Sequence, residues 1–177
     1  MLTPSLETTP VNIKYGGMNS SQLLKALKAN HIQLNASAIA LFEHPNFVTS
    51  ALQSQLEVIQ VSVADLGFAH GATTQDIYAK ACTHGLALCP IEFGAHYRLG
   101  YLEQPKGSIG FAPTQHCAPP GSVTVAAEAI SPDDTVPKGF YLRRIEGVLW
   151  LRGYHCDAAH VWSPQDVFTF GVTPDFR

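Results

Sequence analysis

ADLGFAHGATTQDIYAKACTHGLALCPIEFGAHYRLGYLEQ, residues Ala64 to Gln104, contains the clearest helix start in the chain and its densest turn signals. Thr73 follows the turn residues Gly71 and Ala72 and can cap the amides that open a helix, with Asp76 at the reciprocal position of a capping box. Ile77 and Ala81, with Tyr78 and Cys82 beside them, form the inward stripe. Gly85 supplies the left-handed stop and Leu86 its apolar anchor. Beyond Pro90 the residues alternate. Ile91, Phe93, Ala95, Tyr97 and Leu99 fall on one face of a strand, and Glu92, Gly94, His96, Arg98 and Gly100 on the other. An extended segment here would send the first face into the core and present an acid, an imidazole and a guanidinium in a row.

Outward from this stretch, residues 1–18 show no sustained period and read as a flexible arm. Residues 19–47 read as an appended helical hairpin. Asn19 or Ser20 caps a helix carrying Leu23, Leu24 and Leu27, and Asn35 caps a second with Ile39 and Phe42 inward, stopped by Pro45. Val48 to Gln55 reads as a linker, and residues 56–177 as the main domain. Its strands are expected from Leu56 through Val63, at Ser108 to Ala112, Val123 to Ile130 and Val167 to Val172. Phe140 to Tyr154 reads as a β-hairpin about Glu146 and Gly147. A two-residue turn sets Ile145 opposite Val148, Arg143 opposite Trp150 and Tyr141 opposite Arg152. The pattern as a whole predicts an α+β fold: an antiparallel or mixed sheet with helices packed on one side and a small N-terminal helical hairpin.

Composition narrows the function. Charged residues make up 14%, well below the usual ~25%, and the net charge is −3. A nucleic-acid binder needs a basic face, so none is expected. No apolar run approaches the ~20 residues that span a bilayer, and MLTPSLETTPVNIKYGG lacks a secretory pattern. Four cysteines without a C-x-x-C pair are expected to be reduced thiols, which with the rest predicts a cytoplasmic protein. Phosphate-loop, dinucleotide, nucleophile-elbow and zinc-helix motifs do not occur, and no cofactor is expected.

Two groups of residues are candidates for ligand binding. Glu92, Arg98, Tyr101 and Gln104 combine an arginine fork for a carboxylate or phosphate with an acid able to act as a base. The plainer alternative is that Glu92 and Arg98 lock the segment by pairing with each other or with backbone. On the hairpin, Tyr141, Arg143, Trp150 and Arg152 alternate ring and guanidinium, as a recognition surface or as arginines lying over aromatic bodies. His116-Cys117 and His155-Cys156 could supply four zinc ligands, but neighbouring side chains point apart, so no metal is assigned. Cys89 with His84 nearby is a weak nucleophile–base pair in apolar surroundings. No catalytic set is assigned.

The central stretch resembles the signature of a group of uncharacterised bacterial proteins. The matching residues are Gly71, Ala72, Thr73, Ile77, Tyr78, Gly85, Leu86, Leu88, Cys89, Pro90, Glu92, Gly94, Arg98, Leu99, Tyr101, Gln104 and Pro105, with Val63–Phe68 and Gly147–Leu151 also similar. His96 and the His-Cys pairs fall outside the pattern. The resemblance implies kinship with a domain but no activity. The expected function is a binding or protein-interaction module, whose partner is a protein or a small anionic ligand. The alternative is a small hydrolase or transferase with Glu92 as general base and Arg98 as anion clamp.

Overall fold

Ser54–Ser62 forms the longest strand, β3, whose two faces are both apolar: Leu56 and Val58 point one way, Ile59 and Val61 the other. The computed structural model describes residues 9–107 and 118–174. Antiparallel to β3 lie β1 (Val11–Tyr15) on one side and β10 (Val167–Val172) on the other. β6 (Val123–Val125) runs parallel to β10. The hairpin of β7 (Gly139–Ile145) and β8 (Val148–Tyr154) follows antiparallel, and β2 (Gln33–Leu34) closes the edge parallel to β8. With β5 (Leu86–Ala87) added to β10, the mixed sheet has eight strands. A separate ribbon pairs β4 (Ala72–Thr73) with β9 (Val161–Trp162). The protein is α+β, as its sequence predicts.

Helices cover both faces of the sheet, where the sequence predicts helices on one side. The first core packs Leu23 and Leu27 of α1 (Ser20–Ala29), Leu41 and Phe42 of α2 (Ala36–Glu43) and Phe93 of α4 (Phe93–Gly100) against Val58, Val125, Phe140 and Leu142. The second buries Ile77 and Ala81 of α3 (Thr74–Thr83) against Ile59, Val61, Phe168 and Phe170. Three helices thus share one face, and α3 with the small ribbon takes the other. Thr73 caps α3 through its hydroxyl, which also donates to the Asp76 carboxylate at 2.8 Å, and Gly85 adopts φ +73° after its end.

Several expectations are corrected. Part of the supposed arm is β1, where Ile13 enters the core. The helical hairpin is no appendage. Its connection contributes β2, and Ala38, Leu41 and Phe42 are core residues, whereas Ile39 is exposed. Ser54 and Gln55 belong to β3 rather than to a linker. The largest correction concerns residues 91–100, expected as a strand: Phe93–Gly100 is a helix. Phe93 through Arg98 are all buried, because α4 is enclosed by other elements all round. Alternation carries no information about a helix with no wet face. Gly94 allows that enclosure, since a Cβ there would lie 2.8 Å from the Phe140 ring. The strand expected at Ser108 to Ala112 lies outside the described residues.

Candidate binding site

The helical form of residues 93–100 separates the residues that a strand would have aligned. Six helical positions turn Arg98 about 120° from Glu92 and carry it about 9 Å along the axis. The two side chains serve different parts of the fold.

Glu92 and His96 hold the loops beside β1. Glu92 Oε1 accepts the Ser50 amide N–H at 2.9 Å, and Gly17 donates its amide to the Ser50 carbonyl at 2.8 Å. His96 Nε2 accepts the Gly16 amide N–H at 3.0 Å, so the neutral ring carries its proton on Nδ1. Glu92 Oε2 is buried without a hydrogen bond, 3.7 Å from His96 Nε2. Burial raises the Glu92 carboxyl pKa more than the Ser50 bond lowers it, and burial lowers that of His96. Burial thus shifts each group toward its neutral form. Because the Glu92 pKa is raised by folding, its ionisation opposes folding fully above the folded pKa and not at all below the unfolded value near 4.5. Glu92→Gln keeps an acceptor for Ser50 and removes the charge. Thermal unfolding should show a higher Tm for this variant at pH 8, with the gain shrinking as the pH falls toward 4.5. A gain independent of pH would refute this account.

Arg98 is fully buried and acts as a lock. Nη2 donates to the Tyr101 carbonyl, and Nη1 donates to Gln104 Oε1 and, at 3.4 Å, to the Trp150 carbonyl. Gln104 passes the connection on, its Nε2 donating to the carbonyls of Gly121 and Leu142 at 3.1 and 3.0 Å. Burial pushes the Arg98 pKa down to about 10, which still leaves it charged at neutral pH. Both guanidinium N–H2 groups are thus engaged by the protein, and Nε is buried without a partner, so no fork faces a ligand. Tyr101 stacks on Tyr97 with centroids 5.4 Å apart. Tyr101 and Gln104 also line a cavity of about 490 Å³ with Asp166, Pro119 and Val167, and among the described residues no lysine or arginine lines it. The anion clamp is thus not assembled at this segment, and neither Glu92 nor Arg98 lines that cavity.

The hairpin residues do come together. Glu146 and Gly147, at φ +50° and +85°, make the two-residue turn, and the pairing is Tyr141 with Arg152 and Arg143 with Trp150, as expected. All four stand on the sheet face opposite Phe140, Leu142 and Leu151, half-buried. The Arg152 guanidinium lies 5.0 Å from the Trp150 ring centroid, and its Nε donates to Tyr141 Oη at 2.8 Å. Arg143 Nε is buried with no hydrogen-bond partner. Among the described residues the carboxylates near a basic side chain are Glu92, beside His96, and Asp134, beside Lys138, so neither arginine meets a carboxylate.

Beside this surface is a second cavity, of about 170 Å³, lined by Tyr141, Tyr154, Trp162, His160 and Thr124 among others. Tyr154 continues the Trp150 and Arg152 face of β8 and could have been read from its period of two. Trp162 and His160 could not, because the β4–β9 pairing that brings them here joins residues about ninety apart. The other singled-out residues stay apart. Cys89 is a core thiol with its pKa pushed up to about 12 by burial, whereas His84 sits at the exposed end of α3, bonded to its own helix. His155 Nε2 lies 3.3 Å from Ser37 Oγ, while His116 and Cys117 are outside the described residues. Among those described, no three His, Cys, Asp or Glu side chains gather as metal ligands, and no helix is long and apolar enough to cross a membrane. Compared with known proteins, the chain matches no family model, no curated protein and no solved structure.

Proposed function

We propose that this protein is a binding module that recognises a negatively charged segment of a partner protein on the outer face of the β7–β8 hairpin. One observation carries the proposal: Arg143 and Arg152 stand diagonally across the hairpin among aromatic rings, with no carboxylate partner among the described residues, in a chain of net charge −3. Half-buried cations of like sign repel each other and are normally compensated. Arg152 is also held in place, since stacking on Trp150 and the bond to Tyr141 reduce the side-chain entropy lost when it meets an anion. The unpaired state of Cys82, Cys89 and Cys156 supports a reducing, cytoplasmic setting.

Hexaglutamate carrying a fluorophore provides a direct test by anisotropy at low salt. The wild type should bind it, more weakly as salt rises. Arg143→Ala and Arg152→Ala should each weaken binding by about tenfold, with Tm nearly unchanged. Absence of binding, or equal binding by a folded double variant, would overturn the proposal. Citrate and inorganic phosphate serve as comparison probes: binding of these alone would point to a small anion instead of a protein segment.

A further inference from the structure

We propose that the acidic segment carries one large apolar side chain, aromatic or aliphatic, which inserts into the aromatic-walled cavity next to Arg152. This rests on the function proposed above and adds the residue type that anchors the partner.

Size decides first. At about 170 Å³ the cavity is smaller than the ~300–1,000 Å³ of sites that enclose a small molecule, but it suits a single side chain. Its walls stand at steep angles. Tyr154 meets Trp162 at 84° with centroids 5.6 Å apart, and His160 meets Trp162 at 90° and 4.9 Å. Tyr141 completes the set at 57° to Tyr154. The walls are also held by the fold, because Trp162 Nε1 donates to Thr74 Oγ1 at 2.8 Å and Tyr141 Oη accepts from Arg152. A box of this kind is preorganised, which favours a central anchoring side chain.

Charge decides between the two guests an aromatic box can take. A cation could use the ring faces, but among the described residues no carboxylate lines this cavity, and the Arg152 guanidinium is bonded to one of its walls. His155 and His160 line it as well and add no negative charge in either protonation state. An apolar guest meets no such repulsion. Tyr141 belongs to both sites, so an anchor in the box places neighbouring carboxylates within reach of Arg152 and Arg143.

Two hexapeptides test this: five glutamates with one phenylalanine, and the same peptide with alanine. The phenylalanine peptide should bind about tenfold tighter. It should also slow alkylation of Cys156, which lines the cavity and is half-buried, as followed by site-resolved mass spectrometry. Equal affinities for the two peptides would overturn the anchor while leaving the acidic-segment reading intact. Tighter binding without protection of Cys156 would place the phenylalanine elsewhere and overturn it too. Failure of both peptides to bind would overturn both proposals.

Discussion

Arg98→Ala is expected to cost about 4 kcal/mol of folding stability, a large share of what a domain of this size has. The side chain is fully buried, and its removal strands the Tyr101 and Trp150 carbonyls and Gln104 Oε1 in the interior. Each orphaned acceptor costs about 1–3 kcal/mol, and the space left by the stem adds a cavity term. Arg98→Met separates the two contributions, since it refills most of the volume and restores no hydrogen bond. Urea titration should place it between the wild type and the alanine variant. If Arg98→Ala unfolded at the wild-type urea concentration, the guanidinium would not be the lock described here.

The second large effect is expected at Gly153→Ala, about 3–4 kcal/mol. A Cβ on Gly153 would lie 2.6 Å from the Ser37 carbonyl carbon and 2.7 Å from the Ala38 nitrogen. Those are backbone atoms of the first turn of α2, which cannot rotate aside as a side chain would. The displacement also breaks a joint at the sheet edge. Asn35 caps α2 by accepting the Ala38 amide, and the same side-chain amide exchanges two hydrogen bonds with the backbone of Gly153, at 2.8 and 3.0 Å. It continues the pairing that β2 begins on β8. Asn35→Ala removes those bonds without the clash and should cost about 2 kcal/mol. Equal losses for the two variants would show that the close approach of α2 is not what glycine permits.

The parts of the fold legible in the sequence depend on neighbouring residues. α3 follows from Thr73, Asp76 and Gly85, all within one helix length. The β7–β8 register follows from a two-residue turn, which leaves a single pairing for Tyr141, Arg143, Trp150 and Arg152. That hairpin is also the part of the candidate surface whose strand pairing the sequence predicts. The Glu92 to Gln104 segment was legible as unusual but not as what it is. Its alternation fits a strand, and only burial on every side lets a helix hold Glu92, His96 and Arg98 in the interior. An arginine that would bind a ligand from an exposed strand here binds the carbonyls of Tyr101 and Trp150.

By itself, then, the sequence determined the α+β class, the capped helix α3, the hairpin and the pairing of arginine with aromatic side chains on one of its faces. Each of these is set by local backbone preference or by a period that survives whatever packs against it. The tertiary structure decided the rest. It drew β1 and the helical hairpin into the sheet, turned residues 93–100 into a buried helix, and brought Trp162 and His160 to Tyr141. These depend on contacts between residues far apart in the chain, whose formation rests on total burial and on which hydrogen bonds remain to be satisfied.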